Sequence, residues 1–257
     1  MSQLSCLVCK KIPSELDAAQ QKSFVTYTMA SASSFLPEPV PSNMRKTITL
    51  LESRNLLAAS GTTGLRTWEA ALHLSTYLTS QPEIIQGNTV LELGAGTGYI
   101  SILCARHLGA KYVLSTDGAE EVVEQLPENF KLNGLEEEEL VAAQVLRWGE
   151  TLSNQDDREL GGKKIDVVLG ADVTYDGTAI IALVATFGDL FRLNTEVKIL
   201  IAATIRNEQT FDGFMDACSK AGFAVEIIHF DVVKKERQLG PFYSDKVPIK
   251  LCCVTRR

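Results

Sequence analysis

From residue 89 onward, short and almost wholly apolar runs recur along the chain, and the stretches between them carry apolar residues at helical spacing. Continuous apolar runs bounded by turn residues read as strands, and runs with a 3.6-residue period read as amphipathic helices. The strands predicted in this way are 89–92, 111–116, 141–146, 165–171, 197–204, 224–230 and 249–255. The helices predicted between them are 68–78, 99–108, 122–132, 178–193 and 209–221, with Pro127 marking a kink or restart in the third. No helix-length stretch separates the last two strands, so they are expected to pair as an antiparallel hairpin. Alternating strands and helices imply an α/β fold with helices on both faces of a mostly parallel sheet. The expectation is a seven-stranded, doubly wound open sheet whose last strand is antiparallel at an edge.

The first sixty residues break this rhythm. Ser14 can cap a helix running to about Met29, residues 31–42 are rich in Ser and Pro, and residues 44–57 can form a second helix. The division expected is therefore a helical N-terminal extension and linker over 1–60, then one main domain over 61–257. A Gly/Thr loop, Gly61 to Thr67, leads into Trp68 and the first helix of that domain.

Composition narrows the class only a little. The 257 residues are 45% hydrophobic and 22% charged, ordinary for a globular domain. The net charge of -7 excludes an overall basic footprint for nucleic acid and tolerates a basic protein partner. No apolar run approaches the ~20 residues that cross a bilayer, and no charged-then-apolar leader opens the chain. The six cysteines do not form a secreted disulfide framework. The expectation is a cytoplasmic monomer without membrane or nucleic-acid partners. Cys6-x-x-Cys9 lacks a second Cys/His pair, so no metal site is expected. His73, His107 and His229 show neither triad nor metal spacing and read as structural, the first two on helices and the third in a strand.

The candidate chemistry starts at Glu92-Leu93-Gly94-Ala95-Gly96-Thr97-Gly98, between the first sheet strand and its helix. Such a turn lets a ligand approach the backbone and points a helix N-terminus at it. It is neither G-x-x-x-x-G-K-[ST] nor G-x-G-x-x-G. Ligands of open α/β sheets sit beyond the carboxyl ends of the strands, so a site requires ligand-type residues at those ends. They carry Asp117, Trp148, and Ala171 with Asp172 and Tyr175. Asp117 alone reads as a turn or cap aspartate, Trp148 alone as core, and Asp172 alone as the cap of the next helix. Together they imply a ligand with a ribose, a flat base and little phosphate.

These stretches resemble the class I S-adenosylmethionine-dependent methyltransferases, with Glu92 to Gly98 as their motif I and a Rossmann-like fold. Leu146-Arg147-Trp148-Gly149 and Gly170-Ala171-Asp172-Val173-Thr174-Tyr175, with its Asp-x-x-Tyr, resemble the family 16 protein-lysine methyltransferases. Gly61-Thr62-Thr63-Gly64-Leu65-Arg66-Thr67-Trp68-Glu69-Ala70 is similar to the branch that modifies translation elongation factor 2, as are the extension and the end from Pro248 to Arg257. The resemblance implies a protein-lysine N-methyltransferase that takes S-adenosylmethionine as donor and elongation factor 2 as protein partner. It implies that Gly94, Ala95 and Gly96 line the methionine and ribose portion, with Glu92 among the cofactor-binding residues. Asp117 holds the ribose hydroxyls, Trp148 and Ala171 lie against the adenine, and Trp68 closes over the donor. Asp172 and Tyr175 shape the channel for the acceptor lysine and orient its amine. No dedicated general base stands out. The alternatives are another protein acceptor or a nucleic-acid amino group on the same fold, a dinucleotide-dependent oxidoreductase, and a binding module with a dead site. The Asp-x-x-Tyr lacks the prolines of the Pro-Pro-Tyr pattern typical of adenine amino-methylation. The glycine spacing is too short for a dinucleotide fingerprint.

Overall fold

The computed structural model describes residues 22–29, 46–53, 64–136, 139–150, 152 and 163–257. Two strands, β1 (Ser23–Thr28) and β2 (Thr47–Glu52), pair with each other. Seven more form the main sheet: β3 (Thr89–Leu93), β4 (Tyr112–Asp117), β5 (Val141–Val145), β6 (Val167–Ala171), β7 (Lys198–Thr204), β8 (Phe223–Ile228) and β9 (Ile249–Arg256). Their order is β5-β4-β3-β6-β7-β9-β8. The first five in that order run parallel, and β9 is antiparallel to both of its neighbours.

The helices are α1 (Glu69–Ser80), α2 (Tyr99–His107), α3 (Glu120–Val123), α4 (Leu126–Leu132), α5 (Gly177–Leu193) and α6 (Glu208–Lys220). Pro127 restarts the chain as α4 after the single turn of α3, as its fixed φ and missing N–H favour at a helix start. Side chains alternate across the sheet. Val90 and Val113 point into the core under α1, α2 and α4, while Leu91 and Leu114 point into the core under α5 and α6. Burial on both faces is why these strands are continuous apolar runs in sequence. Among the described residues, no helix is long and apolar enough to cross a membrane.

Three expectations are corrected. Residues 23–28 and 47–52 are strands, not parts of two helices. In β2 the side chains alternate, with Ile48 and Leu50 fully buried and Thr47 and Thr49 less so. β-Branched residues at a two-residue period suit a pleated, half-buried strand. A two-stranded ribbon is marginal alone, and this one is held by the main domain. Asn133 Oδ1 accepts from the Thr49 amide at 2.9 Å, and Asn129 Oδ1 accepts from the Leu51 amide at 2.8 Å. The His107 Nε2 also lies 3.0 Å from the Thr47 carbonyl. Met29, Ile48 and Leu50 belong to the same core as α1 and α2, so packing crosses the boundary expected at residue 60.

The second correction concerns the sheet edge. β9 is antiparallel as expected but lies inside the sheet, and β8 is the edge strand. β9 buries Ile249, Leu251, Cys252 and Val254, whereas β8 exposes Glu226. The third is small: His229 lies just past β8 and is exposed. His73 is structural, as expected, with Nδ1 2.9 Å from the Tyr243 hydroxyl and Nε2 3.1 Å from the Phe230 carbonyl. Burial lowers its pKa to about 4. The expected helix start at Ser14, the Ser/Pro linker, Cys6, Cys9 and residues 61–63 of the Gly/Thr loop lie outside the described residues.

Candidate active site

The chain order of the strands reverses between β3 and β6, and the glycine turn follows β3 at that point. Gly94 has φ +67, and a Cβ there would come within 2.8 Å of Val173 Cγ1 and 3.2 Å of Trp148 Cζ2. Gly96 has φ +53, and a Cβ there would come within 3.1 Å of the Gly64 carbonyl oxygen. The turn is thus hemmed by Trp148 on one side and by the loop before α1 on the other. Glu92 lies beneath it, 3% exposed. Its Oε2 accepts from the Ser101 amide at 2.9 Å and from the Ser101 hydroxyl, which ties the turn to α2. Burial raises the Glu92 pKa to about 8, so the carboxyl is largely neutral at pH 7.

Every residue predicted from the strand ends and the motifs lines one cavity of about 660 Å³: Trp68, Glu92, Gly94, Ala95, Gly96, Asp117, Trp148, Ala171, Asp172 and Tyr175. Asp117 ends β4 and reaches back to the turn, where its Oδ2 accepts from the Gly96 amide at 3.1 Å. Its Oδ1 accepts from the Ala119 amide at 3.1 Å, so the turn-aspartate reading also holds for one oxygen. Burial raises its pKa, and backbone hydrogen bonds from Ala119 and Gly96 oppose the rise. The Trp148 indole N–H is buried with no hydrogen-bond partner among the described residues. A buried donor left in this state is costly.

Asp172 follows β6 with φ +57, and among the described residues no other non-glycine has positive φ. Such a conformation is sparsely populated outside glycine and concentrates at functional sites. It is held from the neighbouring strand: the Asp172 amide donates to the Ala202 carbonyl at 2.8 Å. Asp172 Oδ1 accepts from the Thr204 amide and Oδ2 from the Thr204 hydroxyl, each at 2.9 Å. Asp172 does not cap α5. That task falls to Asp176, whose Oδ1 accepts from the Thr178 and Ala179 amides at 2.9 and 3.0 Å. Tyr175 lies between them, 62% exposed at the cavity mouth. Partial burial raises its pKa, with Asp117 and Asp176 adding to the rise.

The cavity also holds two arginines without an expected role. Arg206, just past β7, and Arg66, in the loop before α1, both line it. Their guanidinium carbons lie 5.1 and 4.3 Å from the Trp68 ring centroid. Arg206 is within 3.4 Å of Asp172 and 3.5 Å of Glu69. Reading the end of β7 as the other strand ends were read would have reached Arg206.

The comparisons agree with this geometry. A family model described as lysine methyltransferase matches residues 51–221. The chain is 46% identical, over its whole length, to the protein-lysine N-methyltransferase EFM3 of Chaetomium thermophilum, spanning 74% of that protein. It is 32% identical to the human protein-lysine N-methyltransferase EEF2KMT, over 76% of this chain and 60% of that one. The fold matches a solved SAM-dependent methyltransferase from Aquifex aeolicus with TM-score 0.50 at 15% identity, covering 72% of this chain and 90% of that one.

Proposed function

The chain belongs to the lysine methyltransferase family, and from that premise we propose that it transfers a methyl group from S-adenosylmethionine to a lysine of translation elongation factor 2. The observation that carries this reading is one cavity at the β3/β6 switch that is lined by the glycine turn, Asp117 and Trp148 on one side and by Asp172 and Tyr175 on the other. The elongation factor is supported by the likeness to EEF2KMT and by the Thr62-to-Trp68 run. We place the reaction in the cytoplasm, by a monomer, with residues 61–257 as the catalytic domain and the β1–β2 hairpin packed against it.

The residues present fit the donor. The turn is packed so closely against Val173, Trp148 and Gly64 that neither Gly94 nor Gly96 can carry a side chain, and the Asp117 carboxylate and Trp148 line the same cavity as that bare turn. When bound, S-adenosylmethionine supplies an electrophilic methyl group on a sulfonium. Gly94, Ala95 and Gly96 hold its methionine and ribose portion, and Asp117 accepts from the ribose hydroxyls. Trp148 and Ala171 would lie against the adenine, and Trp68 would close over the donor. Glu92, neutral and bonded to Ser101, holds the turn from below. A free lysine titrates near 10.4, so the acceptor must lose its proton, to solvent water, to become a nucleophile. Desolvation at the cavity mouth lowers that pKa, and Asp172 and Tyr175 orient the amine.

Mass spectrometry of elongation factor 2 from cells with and without this chain tests the proposal. The expected result is a lysine methylated only where the chain is present. An unchanged methylation pattern contradicts it.

A further inference from the structure

The Asp172 carboxylate is already fully engaged. Oδ1 takes the Thr204 amide at 2.9 Å and Arg206 NH1 at 3.4 Å. Oδ2 takes the Thr204 hydroxyl at 2.9 Å and Arg206 NH2 at 3.4 Å. The two Thr204 bonds come from the end of a sheet strand and fix the carboxylate in place. The two Arg206 contacts are longer and come from a side chain that is 45% exposed, facing an aspartate that is 9% exposed. An incoming ammonium therefore has one place to bind on Asp172, the one Arg206 holds. Arg206 keeps a partner if it leaves Asp172: its NH2 already reaches Glu69 Oε2, at the start of α1, at 3.5 Å.

The cavities tell the same story. A second, small cavity of about 90 Å³ opens on Asn207 and Phe211, and it shares Asp172, Tyr175 and Arg206 with the main cavity. Arg206 thus forms part of the wall between them.

We propose that Arg206 is an internal stand-in for the acceptor lysine: its guanidinium occupies the ammonium position on Asp172 until the acceptor displaces it, leaving it paired with Glu69 alone. This rests on the reading of Asp172 as the acceptor-orienting residue. Arg206 is then a positioning and specificity residue. It keeps the carboxylate satisfied in the absence of acceptor and makes a weakly binding cation pay an exchange before it can enter. Trp68 feels the exchange, because the same guanidinium lies over its ring.

The test is binding of n-butylammonium, a lysine side chain without its protein, to the chain loaded with S-adenosylhomocysteine, followed by NMR. It does not depend on which protein is the acceptor. An exposed ion pair has a modest net worth, so Arg206→Gln is expected to tighten n-butylammonium about threefold. Glu69→Gln is expected to weaken it by a similar factor in the native background and to change it little in the Arg206→Gln background. Purified elongation factor 2 gives a parallel reading, in which Arg206→Gln lowers KM for the acceptor about threefold. Absence of saturable n-butylammonium binding, weaker binding by Arg206→Gln, or multiplicative effects of the two substitutions overturns the proposal. Normal n-butylammonium behaviour with no transfer to elongation factor 2 upholds the exchange and contradicts only the choice of protein acceptor.

Discussion

Asp172 sits in a left-handed conformation, fixed by Thr204 on the neighbouring strand and freed from helix capping by Asp176. Its sequence context left two readings open, site residue or cap, because either role suits an aspartate between a strand and a helix. The cap four residues on, Asp176, removes the second. Asp172→Ala is expected to lower methyl transfer by about 10²-fold or more, the scale of a lost positioned polar group. Donor affinity by calorimetry should change by less than about threefold. An equal collapse of donor affinity would put Asp172 in the donor site instead. Gly94→Ala is expected to act the other way, with donor binding lost first, because a Cβ at φ +67 meets Val173 and Trp148. Calorimetry with S-adenosylmethionine checks this, and unchanged affinity would contradict it.

Glu92 gives a pH signature at the same scale. Its pKa is about 8 when folded, against an ordinary 4.5. The folded chain therefore holds a proton that the unfolded chain releases, and the stability this gives falls away as pH rises from about 4.5 to about 8. Glu92→Gln removes the dependence. Its melting temperature should exceed that of the native chain by several degrees at about pH 8.5, and the two should converge near pH 4.5. A gap independent of pH would show that Glu92 is not buried neutral. Of the further residues near the site, Arg206 was within reach of the strand-end rule, whereas Glu69, at the start of α1, follows no strand and has no pattern that ties it to the site.

At the scale of elements, the main sheet was legible for a physical reason. Strands buried on both faces are continuous apolar runs, and the helices between them carry a clear period. The β1–β2 hairpin was not, because Ser14 and Pro13 looked like a helix start and the alternation in residues 47–52 is only six residues long. Its stability comes from partners far away in sequence, which no local pattern reveals. Asn133 is the main one: it accepts from the Thr49 amide at 2.9 Å and donates to the Thr49 carbonyl at 2.6 Å and the Asn129 carbonyl at 2.7 Å. Asn133→Ala leaves buried backbone groups unsatisfied, at a cost of about 1–3 kcal/mol. The expected outcome is a melting temperature lower by about 3–10 °C, with donor affinity nearly unchanged. A loss of donor affinity as large as that in Gly94→Ala would instead make the hairpin part of the donor site. The order of β8 and β9 was likewise out of reach, since a hairpin fixes which strands pair but not which of them faces solvent.

For the whole molecule, the sheet does one thing above all: it brings residues separated by more than a hundred positions to one end of the strands. Trp68 arrives from the loop before α1, Asp117 from β4, Trp148 from beyond β5, and Asp172 and Arg206 from β6 and β7, and all line the same cavity. The strand-end rule found this convergence from sequence because parallel topology forces it. The proposed acceptor rests on resemblance, since no periodicity in the sequence marks a surface for one. The most direct measurement is to incubate the purified chain with elongation factor 2 and isotopically labelled S-adenosylmethionine, then locate the label by peptide mass spectrometry. The label is predicted on the side-chain nitrogen of a lysine of elongation factor 2, and it should disappear with Asp172→Ala. Label confined to another protein or to RNA, or undiminished in Asp172→Ala, would contradict the account.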